Sequence, residues 1–222
     1  MSNSAVKCTL PKKPSLSPLK RFFGDDATEI QVGVDEAGRG SFAGPVFAAA
    51  VIIDPALDDP EVSMIKDSKR LSKKKRDLLR KYIENNAIAF SVQSSSSVVV
   101  DEINILQATY RAMHQCLKHL NIMGTKFDRI LVDGENFKPF ACNVHNCIPK
   151  GDNEYLSIAA ASILAKTYHD EWVEKACEVN PELNAKYNWM KNMAYGTKEH
   201  RDGIRQHGIC DLHRKTFVKK YI

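Results

Sequence analysis

The chain has 222 residues, 43% of them hydrophobic and 27% charged, the composition of one globular domain that can bury a core without staples. No apolar run approaches the ~18 residues a bilayer span needs, and the opening residues lack the apolar segment of a secretory signal, so no membrane is involved and a cytoplasmic protein is expected. Lys plus Arg is 32 against 27 Asp plus Glu, a formal charge of +5 that permits a polyanionic partner without demanding one. Cys8, Cys116, Cys142, Cys147, Cys177 and Cys210 form no C-x-x-C pair and read as free thiols of a reducing compartment.

Residues 1–28 read as a flexible basic tail: Pro11, Pro14 and Pro18 oppose a helix among Lys7, Lys12, Lys13, Lys20 and Arg21. The body, 29–222, alternates strand and helix signals. Ile30 to Glu36 alternates apolar and polar residues as a half-buried strand does. Val46 to Ile53 is a nearly unbroken apolar run, suited to a strand buried on both faces. Ser72 is placed to cap a helix carrying Leu78, Leu79, Tyr82 and Ile83 on one face. Ile88 to Val92 alternates again. Ile103, Leu106, Tyr110, Met113, Leu117 and Leu120 recur at threes and fours, which predicts one long amphipathic helix closed by Gly124. Arg129 to Asp133 and Asn143 to Pro149 read as short strands. Asn153 to Cys177 reads as an Ala-rich helix able to pack closely on a sheet, and Thr197 is placed to cap a last helix ending at Gly208. The order β-β-α-β-α-β-β-α predicts an α/β layer with a mixed sheet.

The first strand runs out in Val34-Asp35-Glu36-Ala37-Gly38-Arg39-Gly40. Ligands of α/β sheets gather outside strand ends, and the glycines let the backbone approach one closely. Asp133, before Gly134, ends another strand. If those strands are parallel neighbours, Asp35 and Asp133 share one edge of the sheet, and Asp152 at the start of the Ala-rich helix can join them. Carboxylates with no Cys or His set beside them suit hard cations held by oxygen; without a cation their repulsion raises their pKa values. Singly, each has a plainer account: Asp152 as a helix cap, Asp133-Gly134 as a turn, Asp35-Glu36 as solvated charge. The joint pattern favours a site.

The stretch from Lys66 to Arg76 is strongly basic, and Lys73, Lys74 and Lys75 oppose the dipole of the helix they open. A phosphate backbone lying there would offset that. Cys142, His145 and Cys147 lack a clear fourth zinc ligand and read as ordinary strand or loop residues. His200, His207 and His213 are expected mostly at the surface, though one near the carboxylates could aid proton transfer.

The motifs resemble bacterial ribonuclease HII. VDEAGRGSFAGPVFAAAVII (34–53), DSKRLS (67–72), DEINILQAT (101–109), VDGENF (132–137), KGD with SIAAASILAK (150–166), YGTKEH (195–200) and HRKTF (213–217) stand in the family's order. The sister type III enzymes are less similar: they replace the GRG tripeptide and carry an extra N-terminal domain, for which a 28-residue tail is too short. The resemblance implies an RNase H-like α/β fold, a mixed central sheet flanked by helices, with a helical C-terminal extension from about residue 178. It implies an endonuclease that hydrolyses the RNA strand of RNA/DNA hybrids and cuts 5′ of single ribonucleotides in duplex DNA, as ribonucleotide excision repair requires. The family's catalytic and metal-holding acids fall on Asp35, Glu36, Asp133 and Asp152, with Asp170 in support. Two Mg²⁺ or Mn²⁺ ions and products with 3′-hydroxyl and 5′-phosphate ends are implied with them. Gly38, Arg39 and Gly40 would read the ribose 2′-hydroxyl, Tyr195 would pack against the sugar at the junction, and Ser68 and Lys69 would hold phosphates. The chain carries His169 where the family usually has Arg, and Ser41-Phe42 where it usually has Pro-Leu. The implied partners are the hybrid and ribonucleotide-containing duplex DNA, with the protein a monomer. Two other readings stand beside this one. A nucleic-acid-binding module without catalysis would be excluded by metal-dependent cleavage. A DNA-directed nuclease or transposase on the same fold has no 2′-hydroxyl to read.

Overall fold

The computed structural model describes residues 18–26, 28–141 and 143–222. Its sheet is mixed, as the sequence order predicts. Strands β1 (Gln31–Ala37) and β2 (Val46–Ile52) form an antiparallel pair, and β3 (Ala89–Ser95) adds antiparallel to β2. On the other side β4 (Arg129–Asp133) runs parallel to β1, and β5 (Val144–Ile148) parallel to β4, giving the order β3-β2-β1-β4-β5. The helices are α1 (Pro60–Met64), α2 (Lys73–Asn86), α3 (Ser97–Ile122), α4 (Leu156–Val179), α5 (Glu182–Tyr187), α6 (Trp189–Asn192), α7 (Lys198–His207) and α8 (Lys215–Val218).

Both faces of β1 and β2 are covered, which is why Val46 to Ile52 tolerates no polar residue. On one face Ala49 and Val51 meet Leu79 and Ile83 of α2 and Ala159, Ala160 and Ile163 of α4. On the other Val32, Val34, Ala48 and Ala50 meet Ala112, Cys116, Leu117 and Leu120 of α3. The tightest approach is α4 on β1. A Cβ on Gly33 would lie 2.2 Å from the Ser157 carbonyl carbon, so only glycine admits the helix backbone there. That contact sets the start of α4, and the turn before it, beside the end of β1.

Four local expectations need correction. Ser72 does cap α2, accepting from the Lys75 amide, and Leu79 and Ile83 are buried, but Leu78 is half exposed. The long helix α3 is broken at Asn104 (φ 64°, ψ 164°), whose Oδ1 accepts from the Gln107 amide at 3.1 Å and starts the second segment. The break puts Ile103 and Leu106 out of phase with the buried stripe, and both are exposed. The Ala-rich helix begins at Leu156, after a 3₁₀ turn at Gly151–Asn153. Finally, residues 18–26 are docked on the body and are not a tail. Lys20 exchanges backbone hydrogen bonds with Glu154 and Leu156, Gln31 holds both the amide and the carbonyl of Phe23, and Phe23 lies on Tyr155. Residues 1–17 of the expected basic tail lie outside the described residues.

Beyond α4, helices α5 to α8 close a core of their own. Leu183, Tyr187, Trp189, Ile204 and Val218 pack with Val173 and Cys177 of α4 and with Ala43 from the loop after β1. The extension is therefore built onto that loop.

Candidate active site

Because β1 and β4 are parallel with Val34 opposite Val132, Asp35 and Asp133 come next on neighbouring strands, near the C-terminal ends of both. Asp152 reaches them from the 3₁₀ turn after β5, entered through Lys150 in a left-handed conformation (φ 60°). It caps no α-helix: the residue before α4 is Tyr155, without a side-chain cap. Asp152 is 5% exposed and accepts from Asn153 Nδ2 at 2.8 Å. Asp35 is equally buried and takes the Glu36 amide at 2.6 Å. Glu36, on the opposite side of the strand, pairs with Arg39 at 3.2 Å. Asp133 is no solvated turn residue, since its Oδ1 is buried and receives no hydrogen bond.

These surroundings oppose ionisation. Burial, then the charges of Glu36 and Asp133, push Asp35 well above the usual carboxylate range. Burial lifts Glu36 against the pull of Arg39, and lifts Asp133 against the amides of Gly151 and Asp152. Burial, with Asp133 and Asp67, takes Asp152 to about 6. Partial burial disfavours the Lys69 ammonium, yet Asp35, Asp67, Asp152 and Asp133 together hold it above its ordinary value. Among the described residues no three His, Cys, Asp or Glu side chains close on a common point. The residues nevertheless fit a hard divalent cation. Their donors are all oxygens, and the unpartnered Asp133 Oδ1 keeps its lone pairs free.

Asp35 and Glu36 open into a cleft of about 400 Å³ whose other wall is the glycine loop, Lys69 and Tyr195. Gly38 has φ +84°, and a Cβ there would lie 2.4 Å from the His169 ring. Gly40 faces the Tyr195 ring, 3.6 Å from where its Cβ would stand. Asp133 opens into an adjoining cleft that shares Glu36 and Arg39.

A sequence-family model described as Ribonuclease HII matches residues 32–220. The chain belongs to the ribonuclease HII family. It is 49% identical over 193 residues to the ribonuclease HII of Christiangramia forsetii, spanning 86% of this chain and 91% of that one. It is 47% identical over 189 residues to that of Parabacteroides distasonis, spanning 85% and 90%. In fold it is similar to the ribonuclease HII of a PCNA:RNase HII complex from Archaeoglobus fulgidus (TM-score 0.66, 21% identity, 86% of this chain and 94% of that one). It is also similar to Bst-RNase HIII in complex with Mn²⁺ (TM-score 0.65, 19% identity, 87% and 69%). The RNase H-like α/β fold and a type II ribonuclease H, a metal-dependent hydrolase acting on the RNA strand of RNA/DNA hybrids, follow from this membership.

Ribonuclease HII membership does not give every motif residue the role expected of it. Ser68 is buried, and its Oγ lies 2.9 Å from Ser162 Oγ, and both serines line the cleft with Asp35. Ser68 is thus held by Ser162 and is not free to turn fully toward a phosphate. The only sign of Ser162 in the sequence is a hydroxyl interrupting an alanine run. Asp170 stands in a different groove, between α2 and α4. Lys166 at 2.7 Å, His169 at 3.0 Å and Arg76 at 3.5 Å surround it, and the His169 and Lys166 contacts outweigh burial to keep its carboxyl below the usual range. Lys73 pairs with Glu174 at 2.9 Å, so an internal partner meets the charge expected to face phosphate; Lys74 and Lys75 are exposed. Cys142 lies outside the described residues, and His145 packs on Phe137. His207 is exposed, but His200 and His213 are buried in the extension, against the expectation of surface positions. The two departures from the family pattern touch their surroundings closely. Ser41 Oγ is 3.1 Å from His169 Nε2, and Phe42 fills the space over Gly196.

Proposed function

We propose that the chain cuts 5′ of single ribonucleotides embedded in duplex DNA, as well as within continuous hybrids, by two-metal-ion hydrolysis that leaves 3′-hydroxyl and 5′-phosphate ends. The observation that carries this reading is the sharing of one cleft by Asp35, Glu36, the two-glycine loop and Tyr195, with Asp133 in the cleft that adjoins it. Asp35, Glu36, Asp133 and Asp152 would hold the divalent ions, Mg²⁺ or Mn²⁺, which when bound neutralise the phosphate and lower the pKa of the attacking water. Only the 2′-hydroxyl separates the target from its deoxy neighbours, so discrimination must be built beside the acids. Gly40 exposes backbone that no Cβ shields, and Gly38 turns the loop under His169 in a left-handed conformation, which together allow contact with that hydroxyl. Tyr195 offers a face for the adjoining sugar, where a further hydroxyl would clash. Exposed Arg39 and Lys69 supply cations for the flanking phosphates. In this reading the protein works as a monomer in the cytoplasm on ribonucleotide-containing DNA, with residues 29–222 as one catalytic body.

The test is a duplex bearing one ribonucleotide, incubated with Mg²⁺, with Mn²⁺ and with chelator. The expected result is metal-dependent incision on the 5′ side of the ribonucleotide, with none in chelator. Cleavage of continuous hybrids alone would remove the single-ribonucleotide reading, and cleavage surviving chelation would remove the metal.

A further inference from the structure

Tyr195 is presented by a turn in which two successive non-glycine residues, Met193 (φ 48°) and Ala194 (φ 60°), are left-handed. Such backbone persists only where its surroundings over-determine it. Here they are a buried hydrogen-bonded cluster in the C-terminal extension. Trp189 Nε1–H lies 3.1 Å from His200 Nε2. An indole nitrogen can only donate, so His200 Nε2 accepts. The neutral ring then carries its proton on Nδ1, 3.0 Å from the Tyr195 carbonyl, which can only accept. His213 completes the chain. Its Nδ1 lies 3.0 Å from the Cys210 amide, 3.2 Å from the Cys210 sulfur and 3.3 Å from the Cys210 carbonyl. A proton on that nitrogen would leave two lone pairs facing each other at the 3.1 Å contact between His213 Nε2 and His200 Nε2. The Cys210 amide donates to Nδ1, so the proton of His213 sits on Nε2 and points at the His200 Nε2 lone pair, which it shares with the Trp189 indole. Burial keeps both rings neutral, with His213 pulled down to about 4 by burial and then by His200. The turn they hold is tied to the glycine loop, since the Phe42 amide donates to the Ala194 carbonyl at 2.8 Å.

We propose that His200, supported by His213 and Trp189, is a positioning residue for ribonucleotide discrimination: its Nδ1–H fixes the left-handed turn that sets Tyr195 opposite Gly40. The proposal rests on the reading of Tyr195 as the residue that contacts the sugar.

The test compares two substitutions in the full chain. His200→Asn keeps an amide N–H near the Nδ1 position, whereas His200→Gln offers one near Nε2. Both lose part of the cluster and should lower the melting temperature. His200→Gln should also lower kcat/KM on a single-ribonucleotide duplex about tenfold relative to a continuous hybrid, the scale of one buried hydrogen bond. His200→Asn should keep the wild-type ratio. Nitrogen chemical shifts of the labelled wild-type protein near neutral pH should show His200 protonated on Nδ1 and His213 on Nε2. A His200 protonated on Nε2 overturns the proposal, and so does an equal ratio in the two variants. Tyr195→Ala is measured beside them. An unchanged ratio there removes the sugar-contact reading, and is told apart because the wild-type tautomers still stand as assigned.

Discussion

Two of the groups of ionisable side chains that the fold buries are treated in opposite ways. At the ends of β1 and β4 the carboxylates are buried beside one another, their pKa values pushed up, with one oxygen of Asp133 unpartnered. In the extension His200 and His213 are buried as deeply, yet their ring nitrogens are all matched by donors or acceptors. A buried polar group without a partner is costly, while a fully satisfied network makes a unique rigid shape. The carboxylates are left incomplete where a cation can complete them. The imidazoles are complete because they have only to hold a turn.

The sharpest way to break this contrast is Asp35→Asn. Cleavage should fall beyond about a thousandfold, as for loss of a principal electrostatic contact. The melting temperature of the metal-free protein should not fall and should rise where repulsion among the acids is relieved. Turnover near wild type at saturating Mg²⁺ would take Asp35 out of the reaction.

The pH dependence of stability should separate the two regions. Asp152 has a folded pKa of about 6 against an ordinary 3.8, so the folded state binds its proton more tightly. Its contribution is present below the ordinary value and is lost as pH rises through 6, up to about 3 kcal/mol. His213 is the reverse case, with about 4 against 6.5. Its contribution is present above 6.5 and is lost, again up to about 3 kcal/mol, as pH falls through 4. Melting curves in chelator should therefore decline on both sides, and added divalent ion should restore the alkaline side alone. Recovery on the acid side would contradict the assignment of that loss to the histidines.

A smaller effect is expected at Tyr195. Tyr195→Ala should cost more activity on a lone ribonucleotide than on a continuous hybrid. A parallel loss with a lowered melting temperature would mean that the ring only packs. Smallest is the effect of Lys74→Ala with Lys75→Ala. Each lysine that neutralises a phosphate should add about 0.9 to the slope of log K against log[salt] on a B-form duplex, so its removal should flatten the slope by that amount. An unchanged slope would make both lysines solvated surface.

The carboxylate region was readable in the sequence because its geometry is strand geometry. Alternation marks β1, a short apolar run ending in an acid marks β4, and parallel pairing of Val34 with Val132 sets Asp35 and Asp133 next in line on neighbouring strands. Asp152 comes near Asp133 for a local reason other than the one the sequence suggests, since it sits in a 3₁₀ turn and not at the cap of α4. The imidazole region was not readable. Helices α5, α6 and α8 are too short to show a 3.6-residue period, and the partners of His200 are an indole and a carbonyl brought in by turns. Average exposure then assigns histidines to the surface. Ile103 and Leu106 failed similarly, because the break at Asn104 depends on one side chain capping the next segment. The contact between Ser41 and His169 joins residues 128 positions apart, beyond any local pattern.

The most direct measurement is calorimetric titration of Mn²⁺ into the metal-free protein near pH 6, in buffers of different ionisation enthalpy, to count protons released on binding. Acids held up by burial and by one another should be partly protonated there and should give up protons as the cation binds. Wild type should bind Mn²⁺ with measurable proton release, and Asp35→Asn should show weaker binding and less release. Binding without proton release, or binding unaffected by Asp35→Asn, would contradict a carboxylate cluster that waits for its cation.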